Sequence, residues 1–226
     1  MTTASRGNHA EVLDPLVQES TPSIIAARIR EAIGQGKIAP GSQLGEAEYA
    51  RQLGVSRGPL REGLQRLTQE GLLIAHRNRG LFVIEMTPEN VADMYLAREA
   101  VERAAAAKIH RDGPERAARA LLAVTDRMAA AARRKNASAV SDADIEFHKV
   151  LVEHAHSQRL SHVHRTLMTE TRMCIHALEP TYAVVGTRVD EHRAIAESFT
   201  AGDPALTDRL LMEHMQDAVQ RLSRAT

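Results

Sequence analysis

The sequence predicts a mainly α protein in two parts: an N-terminal winged helix-turn-helix, three helices plus a β-hairpin, joined to a C-terminal all-α helical bundle. Three observations carry this expectation. Apolar residues recur at helical spacing up to residue 71, two short apolar runs then flank a polar, Gly-containing turn, and helical periodicity resumes at Pro88 and continues to the end.

The first helix is expected at about 22–35, because Ile25, Ile29 and Ile33 fall at four-residue steps. Gly34, Gly36, Pro40 and Gly41 end it and form a loop. A short helix at 46–53 follows, with Gly54 as its C-cap. Ser56 is placed as the N-cap of a third helix, whose Leu60, Leu64 and Leu67 make an apolar stripe and which Gly71 stops. Residues 72–75 and 81–84 then flank His76-Arg77-Asn78-Arg79-Gly80 and read as a hairpin.

Residues 85–88 are the expected domain boundary, with Thr87-Pro88 as an N-cap followed by Pro at the first helical position. Six helices are expected beyond it, at about 88–111, 114–134, 138–155, 157–178, 187–201 and 203–223. The organisation reads as a mobile arm at 1–20, a winged helix at 21–86 and a helical effector domain at 87–226. No internal repeat is visible.

Hydrophobic residues make up 43% of the chain, which excludes a disordered polypeptide. Only 3% are aromatic and none is Trp, so the core must come from Leu, Ile, Val, Met and Ala, a composition that favours helices. The single cysteine, Cys174, cannot form an internal disulfide, which points to a reducing, cytoplasmic setting. No signal peptide and no membrane span are legible, so no membrane partner is expected.

Lys+Arg and Asp+Glu are equal at 29, so net charge does not advertise a polyanion partner. Between residues 51 and 80, however, Arg51, Arg57, Arg61, Arg66, Arg77 and Arg79 face only Glu62 and Glu70. Such a local basic segment fits a polyanion site or a merely solvated face. On the third helix Arg57, Arg61, Gln65 and Thr68 share one polar face opposite the leucines. That arrangement suits a helix lying in the major groove, with Arg77 and Asn78 at the hairpin tip reaching backbone or minor groove.

The run Leu53-Gly54-Val55-Ser56-Arg57-Gly58-Pro59-Leu60-Arg61-Glu62-Gly63-Leu64, with Leu67, Glu70-Gly71-Leu72 and Asn78-Arg79-Gly80, closely resembles the winged helix of GntR-type regulators. The resemblance implies that Arg57, Gly58, Arg61 and the wing Gly80 contact operator DNA. Ser56, Pro59, Gln65, Arg77 and Asn78 complete the expected DNA-binding set. The sequence departs from the pattern at Gly63, where Ala is usual, and at Gly58, often Thr or Ser. Ala47 stands where some relatives have a DNA-contacting Arg, so that contact is not expected here.

In the second half, Asp144 and His148 are one helical turn apart. His192 shares a stripe with Ile195, Ala196 and Phe199, and His214 with Leu210, Leu211 and Ala218. A buried imidazole needs a hydrogen-bond partner or a metal, and a single inward His is more often a satisfied core residue. Three imidazoles and a carboxylate nonetheless suit a divalent transition ion.

Asp144-Ile145-Glu146-Phe147-His148, then Glu191-His192-Arg193-Ala194-Ile195, Ala201-Gly202-Asp203 and Glu213-His214, resemble the helical effector (FCD) domain of the FadR-type branch of the same family. The resemblance implies that Asp144, His148, His192 and His214 hold a metal, zinc first, with nickel or manganese as alternatives. His154, His156, His162 and His164 are read as surface residues beside a helix junction.

Arg98 lies on an apolar stripe with Val91, Met94, Val101 and Ala105, and a core-facing guanidinium must find an anion. Glu102, one turn on, is one partner; an effector carboxylate is the other. Arg172, between Met168 and Ile175, is a second candidate effector residue.

No catalytic constellation is visible, so no enzyme is expected. The resemblance implies a homodimeric repressor on a palindromic operator, released by a small organic acid at the metal site. A metal-responsive repressor without an organic effector, a metal-free acyl-CoA type sensor and a metallohydrolase remain alternatives.

Overall fold

A computed structural model of the chain describes residues 19–178 and 185–223. The arm expected at 1–20 lies, for residues 1–18, outside the described residues. The winged helix comprises α1 (Thr21–Gly34), β1 (Gln43–Leu44), α2 (Glu46–Leu53), α3 (Arg57–Gln69), β2 (Leu73–His76) and β3 (Gly80–Val83). The bundle follows as α4 (Pro88–Asp112), α5 (Glu115–Arg133), α6 (Ala137–His154), α7 (Gln158–Leu178), α8 (Val185–Ala201) and α9 (Pro204–Ser223). The fold is thus mainly helical, with one small antiparallel sheet.

The sheet order is β1-β3-β2, with His76 opposite Gly80 and Leu73 opposite Val83. Strand β1 was not legible: two residues between a Gly-rich loop and a helix carry no alternation. It pairs Gln43 with Phe82 and Leu44 with Leu81. The hairpin strands run one residue out of step with expectation. Leu72 is buried in the turn after α3 and its carbonyl accepts from Ile84, outside both strands.

Side-chain caps explain most helix starts. Ser20 Oγ accepts from the Ser23 amide ahead of α1, Thr87 Oγ1 from Asn90 ahead of α4, and Asp203 Oδ1 from Leu206 ahead of α9. Ser56 occupies the N-cap of α3 with extended backbone, but its hydroxyl makes no cap bond, contrary to expectation. Its side chain is exposed and remains available for another partner.

Leu60, Leu64 and Leu67 are fully buried against Ile25, Ile29 and Ile33, each leucine contributing about 1.5–3 kcal/mol. Helices α1 and α3 come very close. A Cβ placed on Gly63 would sit 2.9 Å from Ile25 Cγ2 and 3.0 Å from the Pro22 carbonyl oxygen. The departure at Gly63 therefore has a packing cause, which offsets its poor helix propensity.

The bundle core draws on Leu121, Met128, Phe147, Leu151, Phe199 and Leu211. A smaller apolar cluster joins α4, α7 and α9 through Met94, Leu167 and Met215. Met173 of α7 is buried among the winged-helix core residues, so the two halves share packed surface.

Candidate metal centre and nucleic-acid interface

Helices α6, α8 and α9 each deliver one imidazole to one buried point. His148 and His192 are fully buried and His214 nearly so. The three offer ligand nitrogens that all lie within 4.8 Å of one another. His148 Nε2 is 3.3 Å from both His192 Nε2 and His214 Nε2. Asp144, one turn before His148, places Oδ1 3.3 Å from His192 Nε2, but falls outside the mutual spacing of the three imidazoles. Phe147 closes the site edge-on, its ring 4.7 Å from that of His192.

The outward ring nitrogens settle the tautomers. His148 Nδ1 donates to Glu102 Oε2 at 2.6 Å, His192 Nδ1 to the Arg188 carbonyl at 2.7 Å, and His214 Nδ1 to Glu191 Oε2 at 3.0 Å. In the neutral ring the Nδ1 proton goes to that acceptor, which leaves Nε2 as the nitrogen whose lone pair faces the other two. Three converging lone pairs repel unless a cation or a shared proton stands among them. Two nitrogens bound to a tetrahedral zinc at 2.0–2.1 Å lie about 3.4 Å apart, which these spacings match. The residues present therefore fit a metal, and the acceptors behind them are of the kind that orient ligating imidazoles.

The electrostatics favour the ligand form. Burial, reinforced by the neighbouring imidazoles and opposed by Asp144, pushes His192 down to about 3, so it is neutral at pH 7. Burial likewise outweighs Glu102 and lowers His148. Burial works against ionising Asp144, yet His192, His148, Arg188 and His214 together hold it at about 2. Glu102 is held well below the usual carboxylate range, chiefly by His148 and Arg98, against the cost of burial.

Glu102 is the residue that sequence reasoning undervalued. It accepts not only from Arg98 Nε at 3.1 Å but from His148 Nδ1 and from His164 Nε2 at 3.0 Å. His164 was expected at the surface and is buried instead; it shares a helical stripe with Leu160, Leu167, Met168 and Thr171, a signal that was present. His154, His156 and His162 are at least partly exposed. Glu191 was also missed, although it adjoins His192: it clamps His214 and takes Arg221 Nη1 at 2.9 Å.

Arg98 is 1% exposed and pairs with Glu102, while its Nη2 is buried with no hydrogen-bond partner among the described residues. Its guanidinium also lies 4.8 Å from the Tyr95 ring. Arg172 is placed elsewhere: it packs on α1 beside Gly34 and lies 3.8 Å from Asp142, on the wall of a separate cavity.

On the winged helix, Arg57, Gly58, Arg61 and Gln65 lie exposed on α3, opposite the buried leucines, with Ser56 at its start and Pro59 half-buried. Arg61 Nε donates to Glu46 at 2.7 Å, a surface pair of small worth. Arg77, Asn78 and Gly80 are exposed at the hairpin tip, where Asn78 (φ 62°) and Gly80 (φ 94°) turn the chain.

A winged helix with an exposed arginine face, coupled to a helical bundle around a buried ligand-type cluster, defines a two-part transcription regulator. The sequence matches two family descriptions in tandem: "Bacterial regulatory proteins, gntR family" over residues 23–83 and "FCD domain" over residues 93–217. The chain belongs to the GntR family of bacterial regulators, in the branch that carries an FCD domain. A relative from Agrobacterium vitis, an HTH-type transcriptional regulator in the TAR-I ttuE-ttuC' intergenic region, is 33% identical over 153 residues, 63% of this chain and 90% of its own length. The "Probable D-xylose utilization operon transcriptional repressor" of Paenarthrobacter nicotinovorans is 27% identical over 211 residues, 90% of this chain and 91% of its own. Among solved structures, a GntR transcriptional regulator from Rhodococcus sp. RHA1 superposes with a TM-score of 0.73 at 25% identity, covering 91% of this chain and 98% of its own. E. coli McbR/YncC gives 0.77 at 18% identity, covering 92% and 99%, a likeness of fold. These relatives are transcription regulators, not enzymes, and no metallohydrolase reading finds support.

Proposed function

We propose that this regulator is a repressor that leaves its operator when a small organic acid binds beside a metal held by Asp144, His148, His192 and His214. The observation that carries the reading is the convergence of three buried Nε2 atoms whose opposite nitrogens are all tied to acceptors. A divalent ion, zinc first and nickel or manganese next, would supply positive charge and open positions for a ligand carboxylate. Glu102, Glu191 and the Arg188 carbonyl hold the imidazoles in their ligating tautomer. Arg98 Nη2, buried and without a hydrogen-bond partner among the described residues, is a donor suited to the free oxygen of that carboxylate, with Glu102 fixing the guanidinium from behind.

The same reading places Ser56, Arg57, Gly58, Pro59, Arg61 and Gln65 in a major groove and Arg77, Asn78 and Gly80 on the flanking backbone or minor groove. A homodimer would set two such helices on the half-sites of a palindrome. Effector binding then favours a different spacing, with a coupling of about 1–3 kcal/mol, or 5- to 150-fold in operator affinity.

Metal content and thermal shift test this together. The purified protein should carry stoichiometric divalent metal, and the His148→Ala, His214→Ala double variant none; full occupancy in that variant refutes the site. Screening the metal-loaded protein against small carboxylic acids should find a ligand that raises Tm. Arg98→Ala should blunt that rise, and an unaltered dose response would leave Glu102 as its sole partner.

A further inference from the structure

We propose that the cavity between the winged helix and the bundle is a second binding site, for an amphipathic organic monoanion. The cavity measures about 300 Å³ and is walled by α1 on one side and by α6 and α7 on the other. None of the three converging histidines lines it. Ile145, Val152 and Met168 are buried and give it an apolar floor. Gly34 lets α7 approach α1 there: a Cβ at that position would meet Arg172 Cδ at 3.3 Å.

Charge selects the ligand's head group. Arg30, Lys149, Arg165 and Arg172 line the cavity against two carboxylates, Glu31 and Glu153. Arg30 is committed to Glu70 at 2.7 Å, and Arg172 reaches Asp142 only at 3.8 Å. Lys149 and Arg165 are exposed and have no ion pair among the described residues, and the same holds for Glu31 and Glu153, so the loosely held Arg172 leaves the rim with an excess of one cation. An apolar body with one carboxylate or sulfonate satisfies both the floor and that rim. An apolar cavity of about 150 Å³ accommodates benzene, so twice that volume takes about 12 non-hydrogen atoms.

The location gives the site a consequence. His164 lines the cavity and its Nε2 donates to Glu102 Oε1, while Glu102 Oε2 accepts from His148. One carboxylate is thus shared between the cavity wall and the candidate metal centre. On the opposite wall, Ala27 and Gly34 belong to α1, which packs directly on the DNA-facing helix α3. A molecule seated there bears on both halves of the chain at once.

The test is calorimetric titration of the full-length protein with 4-phenylbutyrate and with its neutral isostere, 4-phenylbutanamide. The acid should saturate one site per chain, and the amide should bind at least about tenfold more weakly. Ala27→Trp, at an exposed position, should abolish binding by filling the space. Lys149→Glu with Arg165→Glu, both on the surface, should weaken the acid about tenfold or more. Equal affinity for acid and amide, no saturation at millimolar concentration, or binding kept in Ala27→Trp would each overturn the proposal.

Discussion

His148 Nδ1 lies 2.6 Å from Glu102 Oε2, and both residues are fully buried. That bond ties α6 to α4 and fixes which nitrogen of His148 faces the cluster. Glu102→Gln keeps the shape but offers an amide where an anion stood. It should weaken metal affinity about 10–100-fold, the usual cost of losing such a support. Competition with a chromophoric chelator measures it, and unaltered affinity would remove Glu102 from that role.

Arg61 offers the sharpest test of DNA reading. Its exposed pair with Glu46 is easily exchanged for a base edge or phosphate. Arg61→Ala should cost about 1–3 kcal/mol of specific binding if it reads a base, and should weaken binding to all sequences alike, with a salt slope smaller by about 1, if it meets a phosphate. Anisotropy at several salt concentrations distinguishes the two, and an unchanged isotherm excludes Arg61 from the contact set.

Gly63→Ala should destabilise the winged helix despite the better helix propensity of Ala. The gain of about 1 kcal/mol is set against a methyl forced within 3.0 Å of Ile25 and the Pro22 carbonyl, an overpacking cost of about 1–3 kcal/mol. A lower Tm is expected, and a raised Tm would show that α1 shifts freely.

Glu170 predicts a pH dependence. Burial, helped by Asp93, lifts its carboxyl from 4.5 to about 7. The folded state therefore binds the proton more tightly than the unfolded chain, so this contribution to stability is full below pH 4.5 and is lost as pH rises through 7. Glu170→Gln should remove that slope and stabilise the protein at pH 8 by about 1–3 kcal/mol. Urea titrations at pH 5 and pH 8 check it; parallel pH profiles for both proteins would contradict it.

Much of this fold is legible in the chain because periodicity reports burial directly. The leucines of α3 and the isoleucines of α1 face one another as their spacing requires, and Thr87-Pro88 starts α4 where cap chemistry places it. Strand β1 was hidden because two residues paired to a distant hairpin leave no local signature. At the site, the inward direction of His148, His192 and His214 could be read from their stripes, but not the partners behind them. Glu102 serves three donors from α4, α6 and α7, a convergence that only tertiary packing creates. The same holds for His164, whose apolar neighbours on α7 marked it as inward while its nearness to other histidines suggested surface.

The most direct test of the regulator account is operator binding by the metal-loaded protein, measured by fluorescence anisotropy on duplexes drawn from around its own gene. One duplex should bind tightly in the presence of competitor DNA, and an acid found by thermal shift should weaken it 5- to 150-fold, whereas metal alone should not. Weak attraction to every duplex that salt erases, or an affinity that no acid alters, would contradict the account.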